Sequence, residues 1–182
     1  GSMRRIAFLA VIAAAVATLV ALPRAQATDT LQVGVGRADI TSPTGYYMQG
    51  WVRSDAGLHG VPTRKQARAI VLKRGPQKVA LGAEDLNGIA GGAVQAVADQ
   101  LKGRGFSTAN IIVSASHTHA APSGYYPFGT YNSVFMTSSS LKSLLSQNVS
   151  GALDKQLYAF EVRQLAAAIK KADDDLAPGR LG

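Results

Sequence analysis

The chain has 182 residues, room for one ordinary domain, and 47% of them are apolar against 16% charged, a balance that excludes a disordered tail. Its formal charge of +8 is unevenly spread: Arg4, Arg5 and Arg24 lie in the first 27 residues, leaving 16 basic and 11 acidic side chains, or +5, on residues 28–182. No arginine-rich stripe or interleaved aromatic motif points to nucleic acid, and the absence of cysteine excludes a disulfide framework, an iron–sulfur cluster, a thiolate zinc site and a cysteine nucleophile.

Gly1-Ser2 ahead of Met3 reads as a cloning remnant. Arg4-Arg5, the uncharged run Ile6–Leu22, Pro23 and then Ala25-Gln26-Ala27 have the layout of a signal peptide, with cleavage expected after Ala27 and a secreted or periplasmic destination. The rival is an uncleaved anchor, but the run is alanine-rich and slightly short for a spanning helix. Residues 28–182 are then the mature part of this chain.

Leu31–Gly36 alternates as a first strand. Residues 42–60 are loop-like, with Pro43, several glycines and Tyr46, Tyr47 and Trp51. The apolar runs 67–73 and 78–84, joined through Gly75-Pro76, predict a β-hairpin. Apolar residues at helical spacing predict a helix over 91–102, stopped by Gly103 and Gly105. Residues 110–115 form a buried-type strand. Leu153, Leu157, Phe160, Leu165 and Ile169 mark a helix over 153–174, terminated by Pro178-Gly179. The fold class is α/β with a mixed sheet flanked by helices, because so short a hairpin link demands an antiparallel pair.

The concentrated polar information lies where the strand 110–115 runs into Ser116-His117-Thr118-His119 and a Pro122/Gly124 turn. If strand geometry continues, His117 and His119 share a face, and two neutral imidazoles at a strand end suit the start of a zinc site. Two histidines hydrogen-bonded to loop carbonyls would look the same in sequence.

The ordered blocks Val33–Thr41 (containing Ala38-Asp39-Ile40-Thr41), Gln66–Val71, Glu84-Asp85-Leu86, Asn110–Pro122 and Leu176–Leu181 resemble the neutral/alkaline ceramidase family, with the His-Thr-His block as the specific part. The resemblance, from about Leu31 to Leu181, implies the N-terminal portion of a larger ceramidase-like catalytic domain, a zinc-dependent amidase that splits ceramide into sphingoid base and fatty acid. It implies that His117 is a zinc ligand and that His119 lies beside it, orienting substrate or supporting the metal site. The family's other ligands (a histidine, a glutamate and a tyrosine) and its catalytic serine lie downstream of the matched part, so the catalytic residues of this chain are unknown and Zn2+ would be incompletely held. Ser116 stands where relatives have threonine, Ala120-Ala121 replaces Ser-Gly, and Pro62-Thr63-Arg64 occupies a stretch that often carries a histidine; these departures bear on the substrate more than on the metal.

Several smaller candidates remain. Asp85 closes a strand in a family-like block and would support the metal site or substrate, or else cap the following helix. Asp39 reads as a turn former, and His59 as a loop histidine without a visible partner. Gly34-Val35-Gly36 is no dinucleotide fingerprint, since Asp39 holds the third glycine position. Asn148-Val149-Ser150 fits a glycosylation acceptor. Tyr125, Tyr126, Phe128, Tyr131 and Phe135 would either line a lipid groove or pack their own loop. The leading expectation is thus an exported ceramidase-like hydrolase with a lipid amide substrate, peripheral contact with a membrane and no nucleic-acid partner. The alternatives are a non-catalytic lipid- or surface-binding module of the same fold, and a hydrolase of another amide or ester.

Overall fold

The computed structural model describes residues 30–51, 57–127, 132 and 153–182. The leader, Asn148, Phe128, Tyr131 and Phe135 lie outside these residues. Within them, β1 (Gln32–Asp39), β2 (Gln66–Arg74), β3 (Gln77–Glu84), helix α1 (Ala93–Gln100), β4 (Ile111–Ala115), helix α2 (Lys155–Asp174) and β5 (Ala177–Pro178) follow in chain order. The sheet runs β4-β3-β2-β1-β5. All pairs are antiparallel except β3 with β4, which are parallel and joined through α1. The mixed sheet is therefore as the short hairpin link requires. Gly75 takes φ 55° ahead of Pro76, so the two-residue loop has the positive-then-negative φ pattern that matches strand twist.

The alternation of small and large residues decides where α2 lies. Ala67, Ala69, Val71 and Ala80 point inward and are buried; Gly34 of β1 is buried and Gly36 half-buried on the same side. A Cβ on Gly34 would lie 1.9 Å from the Ala172 carbonyl oxygen, and one on Gly36 would lie 2.1 Å from that of Ala168. Those glycines let the helix backbone sit directly on the strand, which is the physical role of the Gly-Val-Gly pattern. Asp154 caps α2 by accepting from the Gln156 and Leu157 amides, and Tyr46 donates to its other oxygen at 2.7 Å. The three bonds hold the Asp154 carboxyl below the usual carboxylate range, while the Asp154 bond raises Tyr46 to about 12.

Three expectations need correction. α2 ends with Asp175 as its C-cap, before Pro178, and Ala177-Pro178 forms a short edge strand on β1. Pro178 lacks only a donor that an edge strand can spare. The first residue ahead of α1 is Gly92, with φ 82° and no side-chain cap, so Asp85 does not cap that helix. β4 ends at Ala115 as the sequence indicates, so the continued strand geometry that would have aligned His117 with His119 is not present. Among the described residues no helix is long and apolar enough to cross a membrane.

Candidate metal-binding and active site

The site is built at the carboxyl ends of the parallel strands β3 and β4, the position where open α/β sheets expose their functional loops. Beyond β4 the chain keeps contact with the segment after β3: the Ser116 amide donates to the Glu84 carbonyl at 2.9 Å, and the Thr118 amide to the Leu86 carbonyl at 3.2 Å. Between these two bonds His117 adopts φ 58°, and it is the one non-glycine residue with positive φ among the described residues. Such a conformation costs about 1–3 kcal/mol and persists only where the surroundings over-determine it. The flanking hydrogen bonds supply that constraint. The expectation that strand alternation aligns the two histidines therefore fails in its reason. The rings do meet, edge to face with centroids 5.1 Å apart, through a left-handed kink instead.

His117 is exposed, and its Nδ1 lies 2.7 Å from the Asn87 main-chain carbonyl oxygen. A carbonyl only accepts, so Nδ1 carries a proton, and in the neutral ring the lone pair is on Nε2. Sequence reasoning did not single out Asn87, because a main-chain acceptor has no residue signature. His119 is clamped from the opposite strand of loop. The Gln49 amide donates to the Ala121 carbonyl and the Ser123 amide to the Tyr47 carbonyl, while the Trp51 indole donates to the His119 carbonyl at 2.9 Å. Gly50, at φ 84°, lies against the imidazole so closely that a Cβ there would sit 2.5 Å from Cε1. The same point is 3.6 Å from Asn87 Nδ2, a buried donor with no hydrogen-bond partner.

Beneath this surface, Glu84 of β3 and Glu161 of α2 are 4% and 5% exposed, and each has a carboxyl oxygen without a hydrogen bond. Burial pushes Glu84 up to about 8. Burial, followed by the nearby charges of Glu84 and Asp154, pushes Glu161 up to about 9. Both are therefore neutral near pH 7. Tyr125 and Tyr126 close the same region: their rings stack at 4.5 Å, their hydroxyls are 3.2 Å apart, and the Tyr125 hydroxyl donates to the Gly88 carbonyl. Asn132 bonds both the amide and the carbonyl of Tyr126. Both tyrosines are buried, so these two pack their own loop and do not line an open lipid groove.

Asp85 points elsewhere. Its carboxylate takes the Gln66 amide at 2.9 Å and Arg68 Nη1 at 2.8 Å, tying β2 to β3, and the contact to His117 Nδ1 comes from Asn87. Asp39 forms the expected turn, accepting from the Thr41 amide at 2.7 Å and from Arg64. His59 is exposed beside Gly57. His117 has the free nitrogen that a metal requires, but no group of three or more His, Cys, Asp or Glu side chains among the described residues could hold one. A zinc site takes three or more protein ligands, so these residues supply part of a centre and no complete one.

Residues 31–182 match the model of the neutral/alkaline non-lysosomal ceramidase family, N-terminal region. The chain belongs to this family. It is 30% identical over 185 residues to the neutral ceramidase of Drosophila pseudoobscura pseudoobscura, covering 99% of this chain and 23% of that protein. It is 27% identical over 186 residues to the neutral ceramidase of Pseudomonas aeruginosa, covering 98% and 25%. The crystal structure of the Pseudomonas aeruginosa enzyme shares the fold with a TM-score of 0.67 at 24% identity, over 84% of this chain and 23% of that one. This member of the family thus spans about a quarter of the length of the curated relatives it matches.

Proposed function

We propose that this chain is the N-terminal part of an exported, zinc-dependent amide hydrolase that cleaves ceramide-like lipids, with His117 as a metal ligand. The observation that carries the reading is the constrained imidazole of His117 within the family's matched segment. The residue is exposed, and its Nδ1 proton is fixed by the Asn87 carbonyl, which leaves Nε2 as the ring nitrogen for a ligand. Zinc, when bound, would polarise the amide carbonyl and stabilise the charge that develops on its oxygen. This chain's own part is narrower. The Asn87 carbonyl sets the His117 tautomer, the two flanking amide bonds hold its backbone, and Gly50 with Trp51 seats His119 where it can contact substrate or a neighbouring ligand.

The remaining ligands and the nucleophile belong to polypeptide outside the matched segment. Residues 28–182 alone should show no appreciable release of fatty acid from a ceramide analogue, with or without added zinc, because metal affinity falls steeply when ligands are missing. The deciding experiment is elemental analysis of zinc in the protein at the full length of its relatives. His117→Ala should lose most of its zinc and hydrolysis while keeping its circular dichroism, and His119→Ala should keep more of the metal. Stoichiometric zinc in His117→Ala with loss in His119→Ala would reverse the assignment. Retention in both would remove the metal from this motif.

A further inference from the structure

Asn87 presents a different polar group to each of the two histidines. Its main-chain carbonyl accepts from His117 Nδ1 at 2.7 Å, which puts the proton of that ring on Nδ1. Its side-chain Nδ2 is buried and makes no hydrogen bond. A buried N–H without an acceptor loses its hydration and gains nothing in return, and such a group calls for an explanation in a native fold. The backbone of Gly50 locates it. A Cβ on that glycine would lie 2.5 Å from Cε1 and 2.6 Å from Nδ1 of His119, and the next atom to the same point is Asn87 Nδ2 at 3.6 Å. The Nδ1–Cε1 edge of His119 is therefore turned towards Gly50 and Asn87, and Nε2 lies further off. Trp51 keeps the ring there: its indole donates to the His119 carbonyl at 2.9 Å, and it meets the imidazole edge to face with centroids 6.3 Å apart.

We propose that Asn87 is a positioning residue that gives the two imidazoles opposite tautomers: its carbonyl holds the His117 proton on Nδ1, and its side-chain amide donates to His119 Nδ1 and so leaves the His119 proton on Nε2. The second bond is not made in the structure. A turn about the Asn87 Cβ–Cγ bond brings Nδ2 to the Nδ1 lone pair, and among the described residues no hydrogen bond to the Asn87 side chain opposes that turn. Resting on the reading of His117 as a metal ligand, this assignment gives the rings different work. His117 offers the lone pair of Nε2, which suits a cation. His119 offers an N–H at Nε2, which cannot ligate through that nitrogen but can donate to a substrate oxygen or to a carboxylate beside the metal. Two imidazoles with centroids 5.1 Å apart would otherwise be equivalent ligands, and Asn87 removes the equivalence. An amide is needed for it. A carboxylate in the same place only accepts, and would draw the His119 proton to Nδ1.

The test is nuclear magnetic resonance of the full chain, stripped of metal and labelled with nitrogen-15, at about pH 8.5, well above the ordinary imidazole value of about 6.5, so that both rings are neutral. Long-range proton–nitrogen correlation distinguishes the two tautomers of each ring, with His59→Gln as background to clear the third histidine. His117 should be protonated on Nδ1 and His119 on Nε2, and one Asn87 side-chain amide proton should be shifted downfield and coupled to His119 Nδ1. Asn87→Asp should reverse His119 to the Nδ1-protonated form and leave His117 as it is. A parent in which His119 carries its proton on Nδ1, or in which the Asn87 amide shows no coupling to that ring, overturns the proposal, and this reading stands alone should Asn87→Asp not fold. So does a folded Asn87→Asp whose His119 stays protonated on Nε2. A change at both histidines also overturns it, since the substitution would then disturb the whole loop and not one ring. No metal or substrate enters the measurement. Zinc retained in His117→Ala would therefore refute the metal reading and leave these tautomers in place, whereas failure here would leave the metal reading standing.

Discussion

The two ends of this sheet are built on opposite principles. At the hairpin end, charges are partnered: Lys78 meets Asp173 at 2.6 Å, Arg104 bridges Asp173 and Asp174 at 2.8 Å each, and the Lys78 ammonium lies 4.8 Å from the Phe106 ring centroid. The arrangement pins the C-terminal turn of α2 to β3 and to the loop before β4. At the other end, β3 and β4 finish in a left-handed histidine, two buried carboxyls with unbonded oxygens and a buried amide donor without an acceptor. A network satisfied in all its members rigidifies. An unsatisfied one costs stability and is kept where a site needs it. The contrast sets a fully partnered end of the sheet against the end that holds the candidate site.

The largest expected effect comes from the buried carboxyls. Glu84 and Glu161 hold protons in the folded state up to about pH 8 and 9, whereas in the unfolded chain both ionise near their ordinary value of about 4.3. Below that value both states are protonated and the pair makes no difference. As pH rises from about 4.5 toward 8 and 9 the unfolded state releases protons first, so stability falls, and it levels off above that range. The carboxylates with lowered values, Asp39, Asp85 and Asp154, act oppositely and only in acid. Urea unfolding should therefore show a loss of at least about 2 kcal/mol between pH 5 and 8. The double variant Glu84→Gln/Glu161→Gln should flatten that slope; an unchanged slope would mean that the pair is not buried as described.

At the anchored end, Asp173→Ala should cost about 2 kcal/mol, because it strands the largely buried ammonium of Lys78 and removes one partner of Arg104. Chemical denaturation at pH 7 measures it, and a value near zero would make the two ends alike. Gly50→Ala should cost about 1–2 kcal/mol, since a side chain is strained at φ 84° and displaces the His119 imidazole. Its signature is a shift of the His119 ring resonances that spares Lys78 and Phe106. The smallest effect is a gain. His117→Gly should stabilise the isolated chain by up to about 1 kcal/mol by relieving the left-handed backbone, with a higher melting temperature as readout. A loss there would place the constraint in the ring's bond to Asn87 instead of the backbone.

Much of the architecture was legible locally. Alternation marked β1 and short apolar runs marked β2 to β4 to within a few residues, the Gly75-Pro76 link marked the hairpin, and the apolar stripe marked α2. Ala38-Asp39-Ile40-Thr41 and the His-Thr-His block pointed to the family, and Asp39 behaved as a turn former. β5 was missed because two residues carry no period, and Pro178 hid it by resembling a helix stop. Asp85 looked like part of the site by its neighbourhood in the chain, yet its partners Gln66 and Arg68 come from the adjacent strand.

By itself the sequence determined the four longer strands and the two helices, that the sheet holds an antiparallel pair, that this chain carries no cysteine chemistry and that two histidines follow a strand. These follow from side-chain periodicity, turn chemistry and composition, which act over a few residues. Only the tertiary structure decided that Gly34 and Gly36 exist to admit α2, that His117 turns left-handed between two amide bonds, that the Asn87 carbonyl and Gly50 seat the two imidazoles, and that Glu84 and Glu161 are both buried in the interior. Each of these joins atoms from elements distant in the chain, and their separation is set by how the helix lies on the sheet, a quantity to which no local pattern of residues corresponds.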